Sequence, residues 1–339
     1  MNDRFLTPST DSPYWRGAID WVPDDQWWQP WRLLPEHAGR AHAPALLEGA
    51  RMPAGVRAEL RTDATALRLP IEYTSHDRPG RIDVLLNGEL HTRVDLPVGT
   101  TTVHVPLPEG EHDVQVWLPQ SGAARIGRLG LDGPTTISPL ATGPRWVTYG
   151  SSITVCSAAS GPSRTWPALA ARRWGWDLTC LGFSGQCHLD PIAARTIAAT
   201  PADLISLCLG INVHNAATYN ERTFAPHVSG FIEQVRQAHP GVPIAVITPI
   251  ASPEREDQPS DAGLTLGDIR RAVTEVVQVL QADDDGLHLV DGLQILQPAE
   301  AHLMPDGLHP DAQGYELMAE RLAPVLGSLA AHAVAGGQA

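Results

Sequence analysis

The feature that most constrains the fold is a change of pattern near residue 145. Before it, residues 57–131 contain short runs of alternating apolar and polar residues, with turn signals such as Asn87–Gly88 and Glu109–Gly110 between them. Alternation with a period of two is typical of antiparallel strands that have one buried face. Several closely spaced strands of this kind predict an antiparallel β-sandwich or jelly roll.

From residue 145 onward, short apolar runs alternate with amphipathic segments. Apolar strands that alternate with helices are typical of a parallel sheet with both faces covered, and we expect one of the flavodoxin-like α/β kind. Pro167 suits the first turn of the helix that follows the first strand. The predicted strands are 145–150, 177–182, 203–210, 242–249 and 287–292, and the predicted helices are 165–174, 224–239, 266–281 and 311–330.

The chain length of 339 residues suggests two domains. Residues 132–144 are rich in Gly, Pro, Ser and Thr, which predicts a linker. We therefore expect a β-sandwich domain over 1–140 and an α/β domain over 141–332. Aromatic residues ahead of the first alternating run would fill the core or pack the first domain against the second. These residues are Trp15, Trp21, Trp27, Trp28 and Trp31.

The charge balance excludes two classes of partner. Lys and Arg total 24 against 38 Asp and Glu, which gives a net charge of −14. Nucleic acid and anionic membrane surfaces both require a basic binding surface, so we expect neither as a partner. The first residues, MNDRFLTPSTDSPYW, show no basic segment followed by an apolar one, and no run reaches the ~18 apolar residues of a spanning helix. These features predict a cytoplasmic location.

The cysteines do not form a recognisable metal-binding pattern. Their spacings match no zinc motif, and buried reduced thiols are the simpler interpretation. Cys187 and His188 are adjacent in sequence, and together with His214 they have no metal-ligand spacing. We therefore predict no metal and no other cofactor. The cysteines are Cys156, Cys180, Cys187 and Cys208.

Polar segments follow the predicted strands of the second half. Ligands of open parallel sheets bind beyond the carboxyl ends of the strands, so these segments are the candidate functional pieces. They are Gly150-Ser151-Ser152-Ile153-Thr154 after the first strand, Gly182-Phe183-Ser184-Gly185 after the second, Gly210-Ile211-Asn212-Val213 after the third, and Asp306-Gly307-Leu308-His309-Pro310 near the C-terminus.

The residue types in these pieces suit acyl transfer. A serine hydroxyl is a weak nucleophile until a base takes its proton, and His309 can be that base. Asp306 lies three residues earlier, a spacing that lets its carboxylate face the imidazole and fix the tautomer. Each residue also has an ordinary alternative role: Ser152 as a helix N-cap, Asp306 and His309 as a plain turn, and Asn212 as a turn residue.

The four pieces, in this order, resemble the conserved blocks of the SGNH/GDSL hydrolase superfamily over about residues 145–330. The resemblance implies a nucleophile at Ser152 and a triad completed by Asp306 and His309. It also implies an oxyanion hole formed by the backbone N–H groups of Ser152 and Gly185 and the side-chain amide of Asn212. One position departs from the pattern: Ser151 replaces the usual Asp of the first block.

A β-sandwich followed by such a domain resembles two groups within the superfamily, two-domain carbohydrate esterases and a GDSL acyltransferase that tailors a tetracycline-type product. We expect a serine esterase acting on a small-molecule acyl ester of a hydroxylated or sugar-like compound. The alternative is an acyltransferase that passes the acyl group to a natural-product alcohol. A third hypothesis, based only on Ser151, is a carbohydrate-binding protein with a degenerate hydrolase domain. The sequence leaves the oligomeric state open.

Overall fold

A computed structural model describes residues 4–75 and 79–336. Within these residues the strands build two antiparallel sheets followed by one parallel sheet. The strands are β1 (Arg4–Leu6), β2 (Trp15–Arg16), β3 (Asp20–Asp24), β4 (Trp27–Trp31), β5 (Arg57–Thr62), β6 (Ala66–Thr74), β7 (Gly80–Leu86), β8 (Glu89–Leu96), β9 (Gly99–Pro106), β10 (His112–Trp117), β11 (Ala123–Ile126), β12 (Leu129–Leu131), β13 (Ile137–Pro139), β14 (Arg145–Gly150), β15 (Asp177–Gly182), β16 (Leu204–Cys208), β17 (Ile244–Ile247) and β18 (Leu287–Val290).

Most of the helices lie in the second half of the chain. Within the described residues, none is long and apolar enough to cross a bilayer. The α-helices are α1 (Pro44–Ala50), α2 (Ser152–Val155), α3 (Trp166–Trp174), α4 (Pro191–Ala199), α5 (Ile211–Asn215), α6 (Glu221–Ala238), α7 (Leu266–Leu280), α8 (Gly292–Ile295) and α9 (Ala312–Gly336). Short 3₁₀ helices span Pro35–Arg40, Pro162–Arg164, Pro253–Arg255 and Pro298–Leu303.

The two antiparallel sheets share one hydrophobic core. One sheet has the order β1-β12-β6-β11-β4-β3 with β9 also paired to β6, and the other has the order β13-β5-β10-β7-β8 with β2 paired to β5. Apolar side chains from both sheets pack in a single cluster, as the alternating pattern predicts. Its members include Leu60, Val84 and Val116 from one sheet and Ile71, Val105 and Ile126 from the other.

The predicted linker is partly wrong. Residues 137–139 form β13, which pairs antiparallel with β5 and places Pro139 opposite Leu60. A three-residue strand on a sheet edge tolerates proline and carries too little alternation to be predicted from sequence. The chain before residue 57 also contributes strands, β1 to β4, which no alternating pattern predicts.

The early tryptophans serve mainly as core residues. Trp15 and Trp21 pack edge to face, with ring centroids 5.3 Å apart, inside the core of the antiparallel sheets. Trp31 instead lies in a cluster with Phe183, which belongs to the second half of the chain. The expectation that the tryptophans pack is therefore confirmed for these three. The idea that the early stretch precedes the first strand is wrong.

The parallel sheet has the strand order β15-β14-β16-β17-β18 and is covered on both faces, as the apolar runs predict. Neighbouring residues of β14 enter different clusters, since Trp146 packs on one face and Val147 on the other. All five predicted strands coincide with observed ones. Helix α4 was not predicted.

Strand β15 forms one edge of this sheet, and arginines from the first half of the chain cover its free side. Nη1 of Arg57 donates to the carbonyl of Leu178 at 3.0 Å. Nη1 of Arg32 donates to the carbonyls of Cys180 at 3.0 Å and Gly182 at 2.6 Å. These alternate carbonyls face away from β14, so without the arginines they would lack partners.

The two arginines are fully buried but differ in their electrostatic environment. Arg57 pairs with Glu59 at 2.8 Å and with Asp177 at 2.9 Å. Burial lowers the pKa of Arg57, but the two carboxylates outweigh that effect and leave the pKa above its ordinary value. Burial lowers the pKa of Arg32 to about 10, so its guanidinium remains charged at neutral pH. It lies 4.9 Å from the centroid of the Phe183 ring.

We predict that Arg32→Met destabilises the fold by about 3 kcal/mol or more, because buried carbonyls that accept from Arg32 lose their donor. The control is Arg145→Met, which removes a 2.7 Å pair with Asp203 whose side chains are 48% and 45% exposed. Exposed pairs contribute only about 0–1 kcal/mol. Urea unfolding of the two variants measures the difference. Equal, small losses in both would contradict the role given to Arg32.

Candidate active site

Strand β14 leads directly into the short helix α2, and the turn between them separates the roles of two adjacent serines. Ser151, which is 2% exposed, accepts the N–H of Ile153 at 3.2 Å and is the N-cap. Ser152 is the first residue of α2, and its Oγ lies 2.8 Å from Nε2 of His309. The capping role considered for Ser152 therefore belongs to Ser151.

Gly150 explains how closely this turn packs. A Cβ added there would lie 2.2 Å from Oγ1 of Thr154 and 3.1 Å from Cβ of Cys208. The first distance is too short for a Cβ and the second is tight, so a side chain at the end of β14 would displace Thr154, and glycine avoids this.

The turn before α9 brings a carboxylate to the other nitrogen of the imidazole. Oδ2 of Asp306 lies 2.7 Å from Nδ1 of His309. Oδ1 of the same carboxylate accepts the backbone N–H of Leu308 at 3.0 Å and of His309 at 2.6 Å. The spacing of three residues thus lets one turn hold both the carboxylate and the ring, so Asp306 and His309 do more than close a turn.

The Asp306 carboxyl is strongly acidic. Partial burial raises its pKa, but the hydrogen bonds from His309 and Leu308 outweigh burial and bring it to about 2. Because this pKa is lowered, the stabilisation it reflects is fully present above the ordinary Asp value of ~3.9 and is lost as the pH falls through about 2. An ionised carboxylate only accepts, so Nδ1 of His309 carries the proton and Nε2 can accept the Ser152 hydroxyl.

The other two predicted residues lie on the loops after β15 and β16. Asn212, in α5, is 5% exposed, and its Oδ1 accepts the N–H of Cys187 at 3.0 Å. That bond directs the amide NH₂ group away from Cys187. Gly185 has a φ of +68°, which favours glycine, and Nε2 of His188 donates to its carbonyl at 2.9 Å.

His188 holds the loop that carries Gly185, a role that the sequence does not predict. Its Nδ1 accepts the hydroxyl of Thr218 at 2.8 Å, so the ring connects the loop that carries Gly185 to the segment after α5. The tyrosine hydroxyl of Tyr219 also donates to the carbonyl of His188 at 2.9 Å. No sequence pattern indicates these contacts, because they depend on loops brought together by the fold.

The structure brings the four polar pieces to the same edge of the parallel sheet. Gly150 and Gly182, the last residues of β14 and β15, are paired across the sheet. The Cys187–Asn212 bond joins the loop that continues from the second piece to the third piece, and the Ser152–His309 bond joins the first and fourth. A hydroxyl, an imidazole and a carboxylate in one hydrogen-bonded chain can transfer a proton away from the hydroxyl.

The cysteine thiols take no part in the hydrogen bonds between Ser152, His309 and Asp306. All four cysteines are free, and three of them are buried. Burial raises the pKa of the Cys187 thiol well above its ordinary range and that of Cys208 to about 12, so both are protonated at neutral pH. Within the described part of the chain, no group of three or more His, Cys, Asp or Glu residues is arranged to hold a metal ion.

Comparison with known protein families identifies the family of this chain. Residues 148–317 match the GDSL-like lipase/acylhydrolase family, a span that includes every predicted site residue. The chain belongs to this family. It is accordingly a serine enzyme of the hydrolase or acyltransferase type, and its fold is an SGNH hydrolase fold preceded by antiparallel sheets. No match was found among curated proteins.

Solved structures share the whole arrangement. A salicylyl-acyltransferase from a tetracycline biosynthetic pathway is 33% identical, covers 95% of this chain and 97% of its own, and superposes with a TM-score of 0.86. A family two carbohydrate esterase from Cellvibrio japonicus is 15% identical over 97% of this chain and 99% of its own, with a TM-score of 0.67. A family two carbohydrate esterase from Clostridium thermocellum is 17% identical over 81% of this chain and 92% of its own, with a TM-score of 0.65. At 15% and 17% identity, the comparison with the two esterases shows a common fold alone.

We predict that Asp306→Asn keeps the fold but lowers kcat for p-nitrophenyl acetate by about 10⁴-fold, because an amide in place of the carboxylate favours the wrong imidazole tautomer. Circular dichroism and thermal unfolding check the fold, and steady-state kinetics measure the loss. Asp95→Asn is the matched control, since Asp95 pairs with Arg81 at 3.0 Å on the first half of the chain and its side chain is 73% exposed. Wild-type activity of Asp306→Asn would contradict the role of this carboxylate.

Proposed function

We propose that the protein is a serine esterase that hydrolyses an acyl ester of a small hydroxylated or sugar-like compound through an acyl-enzyme on Ser152. The observation that carries this proposal is the chain of two hydrogen bonds, 2.8 and 2.7 Å long, from Ser152 through His309 to Asp306. Family membership supports the same chemistry.

The proposed reaction proceeds in two halves. In the first, Nε2 of His309 takes the Ser152 proton as Oγ attacks the ester carbonyl, and the resulting imidazolium is stabilised by the Asp306 carboxylate. His309 then gives the proton to the departing alcohol, which leaves the acyl group on Ser152. In the second half a water molecule attacks the acyl-enzyme with the same base, and the acid product leaves.

The oxyanion of each tetrahedral intermediate would be held by three donors. Ser152 is at the first position of α2, where a backbone N–H has no partner within the helix. The bond from Cys187 to Oδ1 orients the Asn212 amide, and the bond from His188 fixes the carbonyl of Gly185. These contacts support the assignment of Ser152 N–H, Gly185 N–H and Asn212 Nδ2 as the donors.

Acyl transfer to a natural-product alcohol is a second candidate, because the 33% identical structure is that of an acyltransferase. Both reactions use the same acyl-enzyme and differ in whether water or an alcohol resolves it. The side chains of His309 and Asp306 are 35% and 57% exposed, so the site admits solvent water, which hydrolysis requires. Family membership favours an enzyme over the carbohydrate-binding hypothesis.

We also propose the finer architecture. The single core between the antiparallel sheets supports a β-sandwich, and the order of the parallel strands supports a flavodoxin-like sheet. Strand β13, which ends at Pro139, supports a division into domains 1–140 and 141–332. A cytoplasmic location and the absence of nucleic-acid and membrane partners remain proposals that rest on sequence and charge.

We predict that Ser152→Ala abolishes both ester turnover and labelling by a fluorophosphonate probe while the fold persists, because only a partly exposed hydroxyl is lost. Ser151→Ala, at the adjacent serine, is the matched control. It removes an N-cap, so we expect a stability loss of about 1 kcal/mol with labelling retained. Mass spectrometry of the labelled peptide identifies the modified serine. An inactive Ser151→Ala variant together with an active Ser152→Ala variant would contradict the assignment of Ser152 as the nucleophile.

We predict that p-nitrophenyl esters are turned over at the same rate with and without added sugar alcohols or phenols, and that free acid is the main product. Burst kinetics would show the acyl-enzyme, and liquid chromatography with mass spectrometry would distinguish free acid from a new ester. Ser152→Ala provides the background rate. A new ester that rises with acceptor concentration while free acid falls would favour the acyltransferase.

A further inference from the structure

The segment of residues 252–258, which follows β17, contacts both sides of the active site through one side chain. Nε of Arg255 donates to Oδ1 of Asn215 at 2.9 Å. Nη1 of Arg255 donates to Oγ of Ser252 at 3.1 Å and to the carbonyl of Gly307 at 3.4 Å. One guanidinium thus connects a residue of α5 to the turn before α9.

Both contacts lie next to residues of the proposed machinery. Asn215 is the last residue of α5, the helix that carries Asn212. Gly307 follows Asp306 directly, inside the turn that holds His309. The hydroxyl of Ser252 donates a second and shorter bond, 2.7 Å, to the Gly307 carbonyl. The segment therefore fixes the backbone of that turn from outside.

The 252–258 segment is itself held by ionic and polar contacts. Oε1 of Glu256 accepts the N–H of Ser252 at 3.1 Å, and the carboxylate binds Arg270 of α7 through two bonds of 2.9 and 3.1 Å. Nε2 of His214, in α5, lies 2.9 Å from the carbonyl of Gln258, which gives a second contact to that helix. Arg255 therefore projects from a fixed support.

We infer that Arg255 is a positioning residue, which sets the distance between the Asn212 amide and the His309 imidazole. This inference rests on the proposed function. The amide and the base come from separate elements, and α5 has only five residues, so its orientation depends on contacts outside the helix. The planar fork of arginine holds two acceptors in fixed directions, which the single ammonium of lysine cannot do. Displacement of a reacting group by ~1 Å can lower the rate by about 10²-fold.

The test compares Arg255→Ala with a control arginine that makes similar bonds elsewhere. We expect Arg255→Ala to lower kcat for p-nitrophenyl acetate by about 10- to 100-fold with little change in KM, because the lost alignment matters in the transition state. In the control, Arg236→Ala, three bonds are lost, to Asp284 at 2.7 Å and to the carbonyls of His239 at 2.8 Å and Val242 at 2.6 Å. These lie at the amino ends of the parallel strands, so kcat should be unchanged.

Asn215 provides the conservative rescue. Asn215→Ala removes the acceptor and should lower kcat as Arg255→Ala does, whereas Asn215→Asp keeps an oxygen for the guanidinium and should retain most of the activity. In the double variant Arg255→Ala/Asn215→Ala the losses should not add, since both remove the same contact. Thermal unfolding of every variant separates a loss of rate from a loss of fold.

The rate of Ser152 labelling by the fluorophosphonate probe gives a second readout that does not depend on the ester chosen. If the wild-type protein is not labelled at Ser152, both the proposed function and this inference fail. If Ser152 is labelled and Arg255→Ala is labelled as fast as wild type, only the inference fails. A loss of kcat in Arg236→Ala equal to that in Arg255→Ala would also overturn it.

Discussion

The pairing of buried guanidinium groups with the edge of the parallel sheet is the interaction on which the rest of the structure depends. Strand β15 has hydrogen-bond partners from β14 on one side, and on the other its carbonyls accept from Arg57 and Arg32. An unpaired buried carbonyl costs about 1–3 kcal/mol, so three of them would offset much of the stability of a typical domain. The antiparallel sheets are therefore part of the structure that supports Gly185, which lies three residues beyond the end of β15.

The same principle of local polar support recurs at each piece of the candidate site. Ser151 caps α2, Cys187 orients the Asn212 amide, and the backbone of the last turn holds the Asp306 carboxylate. Buried apolar neighbours such as Ile153, Phe183 and Val213 anchor these segments in the cores, and the hydrogen bonds set the directions of the polar groups. The site thus remains open to water while its donors and acceptors keep defined directions.

The sequence predicts the elements whose signals are local and fails where a contact is remote. The parallel strands and the Asp306–His309 turn follow from apolar runs and from a spacing of three residues. Arg57 stands in an alternating strand, and nothing in that pattern shows that it is buried against Asp177, 120 residues later. The strand at 137–139 was missed because three residues carry too little periodicity, and its composition favours a loop.

The two adjacent serines show why a departure from a family pattern need not change the chemistry. The position before Ser152 must supply an acceptor for the N–H of Ile153, and a serine hydroxyl supplies it at 3.2 Å as a carboxylate would. The hydroxyl does so without placing a negative charge beside the region where an oxyanion would form, in a residue that is 2% exposed. The Ser151 substitution therefore removes neither the cap nor the neighbouring hydroxyl. The hypothesis of a degenerate hydrolase domain, which rested on that substitution alone, loses its support.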